Sequence, residues 1–410
     1  MMKKITCERA QEILVRAVKQ VSCEEVPILD ALGRITAEDL YALHDLPIAR
    51  QAAFDGFALC GLDHKGGFQV VEPYSCDPDK PFILQAGEAV HVGTGGLLPQ
   101  GTEAVVQWEH GTLLENKSFI PTEVIPGSNI KKGGEDFKSG DLLVPRGTCL
   151  AAGLVGLLAA FGISKVSVLR RPKVLIISIG SGIIPYDGVP KPGETRDSNG
   201  PLLTSLVLRE RGQVTALEVL GAKKIDEMRP TLEEIFHQSD LVFTTGGTFA
   251  GNRSEGQGFL EKIGAQELFS GVQLKPGGHV GAALWEGKPM VMLSGNPAAC
   301  LVCFELFACP VLRMMQGLSP VLPRIQGRSL SSFSKKSMAR SFLRAHVEWD
   351  QAGWTVEILP GQKPSMMRSF LGCNALIDLS PDHPPIQVGD MVPVILLDSV
   401  FPGSHHRERA

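Results

Sequence analysis

With 410 residues, 43% hydrophobic and 20% charged side chains and a net charge of −4, the chain has the composition of an ordinary multidomain globular protein. That balance lacks the basic excess required for binding nucleic acid or a membrane surface. The charged start Met-Met-Lys-Lys-Ile-Thr-Cys-Glu-Arg does not fit a secretory signal, and the apolar run Ala151 to Ile163 is too short to span a bilayer, so a cytoplasmic protein is expected.

In chain order, Ala10, Ile13, Leu14, Ala17 and Val18 form one helical stripe over residues 7–20. An extended piece from Glu25 and a short helix ended at Gly33 follow. Past Asp45, short β-type runs (Phe68 to Val71, Ala89 to Val92, Ala104 to Glu109, Phe119 to Val124) alternate with Gly, Pro and Asn turns, as in a small β domain. Thr148 to Phe161 returns to an Ala- and Leu-rich helical character, which predicts one helical layer interrupted by an inserted β domain.

From Arg171 strands and helices alternate, the pattern of a parallel α/β sheet. The expected strands are Lys173 to Ile179, Val214 to Leu220, Leu241 to Thr245 and Met290 to Leu293. Ser198 or Asn199 caps a helix through Arg211 with Gly212 as its terminal glycine, and Thr231-Leu-Glu-Glu234 has capping-box spacing for a helix to Ser239. Asn296-Pro297 opens a helix carrying Cys300 and Cys303. Those two have metal-like spacing, but no second pair lies at zinc-finger distance, so buried core thiols are expected. Beyond Ser319, Arg340 to Trp349, Trp354 to Leu359, Ala375 to Leu379 and Met391 to Leu397 read as a separate β domain. The division expected is 1–45 with 142–170, 46–141, 171–318 and 319–410.

In a parallel α/β sheet all strands end at one edge, and ligands bind there. The four strand ends deliver Gly180-Ser-Gly182, Gly221-Ala-Lys-Lys224, Gly246-Gly247 and Ser294-Gly-Asn-Pro297. Their backbone amides, with helix N-termini behind Asn296-Pro297 and Ser198-Asn199, suggest a phosphate or other oxyanion as ligand. Neither the dinucleotide spacing nor a Walker sequence occurs in these loops.

Six short segments, in order, carry a resemblance to a known family. They are Ala53-Phe-Asp-Gly-Phe-Ala58; Gly93-Thr-Gly-Gly96 with Leu98 to Val106; Gly127-Ser-Asn-Ile130 with Gly134-Glu-Asp136; Arg196-Asp-Ser-Asn199; Thr244-Thr-Gly-Gly247; and Gly295-Asn-Pro297. In these the chain resembles the molybdopterin molybdenumtransferases, bacterial relatives of the gephyrin E domain, from about residue 5 to 400. The resemblance implies an elongated discontinuous domain, an inserted β domain, a molybdopterin-binding α/β domain and a C-terminal β barrel. It implies an enzyme of molybdenum cofactor biosynthesis that inserts molybdate into adenylylated molybdopterin and releases AMP. It further implies Mg²⁺, a homodimer, and as partners a recipient molybdoenzyme or an upstream adenylyltransferase.

Carried over residue by residue, the resemblance makes Asp55 a metal or substrate carboxylate and Thr94, Asp136 and Asp226 further catalytic positions. Gly180, Ser181, Gly246, Gly247, Ser254, Lys275, Ser294, Gly295, Asn296, Pro297, Arg344 and Ser365 become substrate-binding positions, and Glu255 a second metal ligand. From residues alone, the favoured reading of Asp55 and Asp136 is as turn or cap residues in glycine-rich loops, which only the resemblance reverses.

The chain departs from the family in these same loops. Gly-Asp-Glu-Leu is here Gly180-Ser181-Gly182-Ile183, and the aspartate after Gly246-Gly247 is Ser254, with Glu255 beside it. Lys-Pro-Gly-Lys-Pro is Lys275-Pro-Gly-Gly-His279, Leu-Pro-Gly-Asn-Pro is Leu293-Ser294-Gly-Asn-Pro297, and the aspartate after the second strand is displaced by one to Asp226. Losing one charge-assisted contact costs roughly 2–4 kcal/mol, so the lost carboxylates weaken a metal site while the glycines keep the ligand cradle. Three functions therefore compete: an active transferase with a rearranged metal site; a carrier, chaperone or scaffold for molybdopterin or finished cofactor; and catalysis on a related pterin or with another metal.

Overall fold

The structure, a computed structural model, describes residues 4–63, 66–71, 82–220, 225–247, 255–334 and 337–397. It divides into two compact units, residues 25–168 and residues 1–24 with 169–410.

In the first unit, segments on either side of the inserted stretch pair with each other. Lys165–Leu169 lies between Cys23–Pro27 and Ile35–Thr36, and Leu142–Val144 pairs with Leu40–Tyr41. The helix Ala152–Ala160 starts later than the expected Thr148. Thr148 and Leu150 give their amides to the Thr36 hydroxyl and the Arg34 carbonyl, so tertiary pairing claims the residues that local propensity assigns to the helix. The insert is a six-stranded sheet in the order Ala104–Gln107, Gly56–Leu59, Glu88–Val92, Phe68–Val70, Ser118–Pro121, Gly111–Leu113. Strand alternation puts Phe57 and Leu59 into one apolar cluster and Ala58 into another.

The second unit is built on a sheet in the order Gln213–Leu220, Lys173–Ile179, Leu241–Gly246, Lys288–Leu293, Gly281–Trp285, Gln266–Ser270. The first four strands are parallel, as expected, but Gly281–Trp285 pairs antiparallel with both of its neighbours, so the sheet is mixed. Gly281–Trp285 escapes sequence reading because Gly-Ala-Ala-Leu-Trp has little β character. What places it is a tight hairpin in which Glu286 (φ 46°) and Gly287 (φ 79°) both lie left-handed between the paired Trp285 and Lys288.

Two helix expectations are corrected. Asn199–Arg209 is shorter than expected, and Arg211 (φ 61°), not Gly212, takes the left-handed turn; a side chain at Gly212 would begin 2.7 Å from Val207. Ile225–His237 starts six residues before the expected capping box and runs through Pro230, with Asp226 and Glu227 favouring its positive end. Cys7–Ala17, capped by the Thr6 hydroxyl, falls in a different unit from Ala152–Ala160. It belongs to the second unit, where Gln11 Nε2 donates to the Leu306 carbonyl at 2.8 Å.

Pro297 to Met315 is a continuous apolar helix of 19 residues, longer than the run picked out in the sequence and 89% buried within the protein, which makes it a core helix. Cys300 and Cys303 are fully buried in it, and burial pushes the Cys300 thiol up to about 12, so the expectation of core thiols holds. The C-terminal region closes into a five-stranded barrel, because Arg340–Asp350 pairs with both Gly353–Ile358 and Ala375–Leu379 while Met391–Leu396 and Arg324–Ser329 complete the ring. The polar strand Arg324–Ser329 has no alternation to betray it.

Candidate functional site

The parallel strands end in step: Ile179 is in register with Leu220 and Gly246, and Thr245 with Leu293. Their loops therefore meet at one edge of the sheet. Gly246 (φ 83°) fits so closely that a Cβ there would lie 2.2 Å from the Ile179 carbonyl oxygen, and one on Gly295 would lie 2.9 Å from the Gly246 Cα. Only glycine allows this approach.

Side chains beneath the loops lock them together. Thr245 Oγ1 donates to the Ser294 carbonyl at 3.0 Å. Asn199 Nδ2 donates to Thr245 Oγ1 at 2.8 Å and to the Gly295 carbonyl at 3.0 Å. Both acceptors fix the amide's orientation, which leaves Asn199 Oδ1 buried with no hydrogen-bond partner among the described residues. Asn199 was expected only as a helix cap, yet it ties three loops. The capping falls to buried Asp197, whose Oδ1 accepts from the Gly200 amide at 2.9 Å and Oδ2 from the Ser178 hydroxyl at 2.7 Å.

The expected contribution of helix N-termini to an anion site is corrected at both helices. The Ala298 and Ala299 amides donate to the Pro364 carbonyl at 3.1 and 3.3 Å, and the Asp197 carboxylate occupies the other terminus. Their donors are already used within the protein.

Ser294 and Asn296 open onto a cleft of about 700 Å³ whose other walls are the 274–279 segment and the barrel residues 341–343 and 361–366. Four basic residues line it, Lys4, Lys275, His279 and Lys363, and no carboxylate does. Lys275 sits in register with Ser341 of the barrel. Arg344, expected to face ligand, is fully buried. Its Nε donates to Ser369 Oγ at 2.7 Å and one terminal nitrogen to the Gly361 carbonyl at 2.8 Å, so it holds the loop that lines the cleft. The other terminal nitrogen, Nη1, has no partner among the described residues. Ser365 is exposed between Pro364 and Met366 of the lining.

The remaining candidates fall in several places. Gly180 and Ser181 end the Lys173–Ile179 strand, and the Gly180 carbonyl closes a turn with the Ile183 amide. Asp226 is exposed and pairs with Lys262 at 2.7 Å. Ser254 and the 221–224 loop lie outside the described residues, and Glu255 begins the helix Glu255–Ile263. In the other unit Asp55 and Thr94 do come together, the Thr94 amide donating to Asp55 Oδ1 at 2.6 Å. The amide and hydroxyl of Thr94 hold the exposed carboxyl below the usual carboxylate range. Asp136 lies with Glu135 and Lys131 in a separate cleft beside Leu46, Pro47 and Ile48.

Among the described residues no three His, Cys, Asp or Glu side chains gather to hold a metal ion. The described lining of the cleft, which holds no carboxylate, does not fit a resident Mg²⁺, which needs octahedral oxygen ligands. Calorimetric scans with and without EDTA are accordingly expected to give the same melting temperature, and a drop on chelation would reveal a structural metal.

Glycine loops at the carboxyl edge of an α/β sheet, beside a lysine-bearing cleft with no carboxylate in its lining, are features chemically suited to an anionic ligand. Three family models match: MoeA N-terminal region (domain I and II) over residues 5–162, Probable molybdopterin binding domain over 175–314, and MoeA C-terminal region (domain IV) over 326–397. The chain is 29% identical over 400 residues to molybdopterin molybdenumtransferases of Staphylococcus aureus strain Mu50 and of Staphylococcus epidermidis, covering 95% of each chain. A crystal structure of the molybdopterin biosynthesis MoeA protein from Pyrococcus horikoshii superposes with a TM-score of 0.82 at 27% identity, covering 97% of this chain and 100% of that one. The chain belongs to the molybdopterin molybdenumtransferase family.

Proposed function

We propose that this protein is an enzyme of molybdenum cofactor biosynthesis that inserts molybdate into adenylylated molybdopterin and releases AMP. The observation that carries the reading is the cleft, where Ser294 and Asn296 of the last strand-end loop meet Lys4, Lys275 and Lys363 with no carboxylate in the lining. Such a surface suits an oxyanion, whether a pterin phosphate or molybdate. Lys275 serves as a point charge for the oxyanion, and Arg344 acts by fixing the 361–363 loop. Gly180, Ser181, Gly246, Gly247, Ser294, Gly295, Asn296 and Pro297 form the pterin-phosphate cradle. Asp55, ionised and held by Thr94, is the carboxylate offered to substrate or to a substrate-borne cation. The names of the relatives favour the transferase over a carrier. The protein acts as a cytoplasmic homodimer that passes its product to a recipient molybdoenzyme.

Incubation with adenylylated molybdopterin and molybdate tests this, because an intact, pterin-binding protein that releases no AMP is not the proposed enzyme. Asp55→Asn keeps an oxygen for the Thr94 amide, so it is expected to fold normally. It should slow AMP release by about 10²–10³ with little change in KM. An unchanged kcat would remove Asp55 from the machinery.

A further inference from the structure

We propose that Lys4, in the segment before the first helix, is a direct ligand of the oxyanion bound in the cleft, which makes the N-terminal segment part of the binding site. The inference rests on the oxyanion reading of the cleft and adds a residue that no motif contains.

The segment is held in place. Ile5 pairs with Val272 in parallel, its amide donating to the Gly271 carbonyl at 3.2 Å and its carbonyl accepting from the Gln273 amide at 2.8 Å. Gln273 Nε2 donates to the Lys4 carbonyl at 3.1 Å. The Lys4 side chain then runs along a trough floored by two glycines. A Cβ on Gly271 would begin 3.1 Å from Lys4 Cγ, and one on Gly278 would begin 3.1 Å from Lys4 Nζ. A larger residue at either position would crowd the lysine out of its path.

The ammonium is thereby delivered into the cleft beside Lys275 and His279. No ion pair to Lys4, Lys275 or His279 occurs among the described residues, although the chain carries more acidic than basic side chains. Burial and the neighbouring Lys4 charge hold the His279 imidazole below its ordinary range. Cations gathered without a counter-charge repel one another, and a bound oxyanion relieves that repulsion. The nearby helix cannot supply the charge, since its first free amides are spent on the Pro364 carbonyl. Side chains must therefore neutralise the ligand, and Lys4 is positioned to do so.

The test is calorimetric titration of the full-length protein with inorganic molybdate at fixed ionic strength, using Lys4→Ala, Lys4→Arg, Lys4→Glu and Lys275→Ala, each with a thermal melt. Lys4→Ala is expected to weaken binding about tenfold with an unchanged Tm. Lys4→Arg should bind within about threefold of the parent, and Lys4→Glu should lose binding. Restoration by arginine separates a charge contact from a packing role. If Lys4→Ala binds like the parent while Lys275→Ala does not, the cleft reading stands and the Lys4 inference falls. A Lys4→Ala loss that arginine does not restore also overturns it. If the parent binds no molybdate, or Lys275→Ala binds normally, the cleft reading fails and this inference with it.

Discussion

Gly246→Ala is expected to cost about 3–4 kcal/mol of stability and to reduce AMP release by at least about 10² in whatever protein still folds. The backbone at this position (φ 83°) costs an L-residue about 1–2 kcal/mol. The new methyl would also lie 2.2 Å from the Ile179 carbonyl oxygen, a backbone atom inside the sheet that has no rotamer to give. Forcing such a contact adds about 1–3 kcal/mol. Relief requires the loop to lift, and Gly295, which packs on the Gly246 Cα, must move with it. Displacing a binding loop by about 1 Å is enough for a loss near 10². Gly258→Ala is the control, since nothing lies within 4 Å of a Cβ there and it is within a helix. It should be neutral or stabilising by up to about 1 kcal/mol. Denaturant unfolding and AMP release on both variants decide the matter, and equal behaviour would show that the glycine loop is not a tight cradle.

The second large effect is expected far from any motif. Glu305 is fully buried, and Arg209 grips it with two bonds of 2.9 and 2.8 Å. Burial acts to lower the Arg209 pKa, but the Glu305 and Glu210 carboxylates outweigh it and hold the guanidinium above its ordinary range. Glu305→Gln removes the bidentate carboxylate and leaves the guanidinium only Glu210, 3.0 Å from its Nε, so it should cost about 1.5–3 kcal/mol. Replacing both with methionine should recover most of that loss, because neither charge is then stranded. The pair joins Asn199–Arg209 to the π-helical turn Phe304–Ala308, and so ties the helix that starts with Asn199 to the one that starts behind Asn296. Urea unfolding of the single and double variants measures the coupling. A single variant as stable as the parent would mean that the pair is a surface-like contact with water access.

Much of the architecture was legible because hydrophobic pattern and strand length agree locally. Val174, Leu175, Ile176 and Ile177 form an unbroken apolar run buried on both sheet faces, and Ala375, Leu376 and Ile377 are equally plain. Gly281–Trp285 and Arg324–Ser329 were not legible, since hairpin geometry and barrel closure, not propensity, make them strands. The helix Ile225–His237 misled for the opposite reason: a good local capping pattern at Thr231 lost to a start nearer the sheet. At the site, the glycine loops and the separate positions Asp55 and Thr94 were visible as motifs, while the contact between those two was not. Lys4 and the loop-tying role of Asn199 were not, because each depends on partners about 46 to 274 positions away.

By itself, then, the sequence determined the family, the strand ends and the glycines that any ligand at this edge must meet, since those follow from residue type and near neighbours. Tertiary structure decided which donors remain for that ligand. Folding spends the helix amides on Pro364 and Asp197 and buries Arg344 behind the 361–363 loop, and it leaves the charge of the cleft to Lys4, Lys275 and Lys363. A hydrogen-bond donor can serve a ligand only if the fold has not already satisfied it.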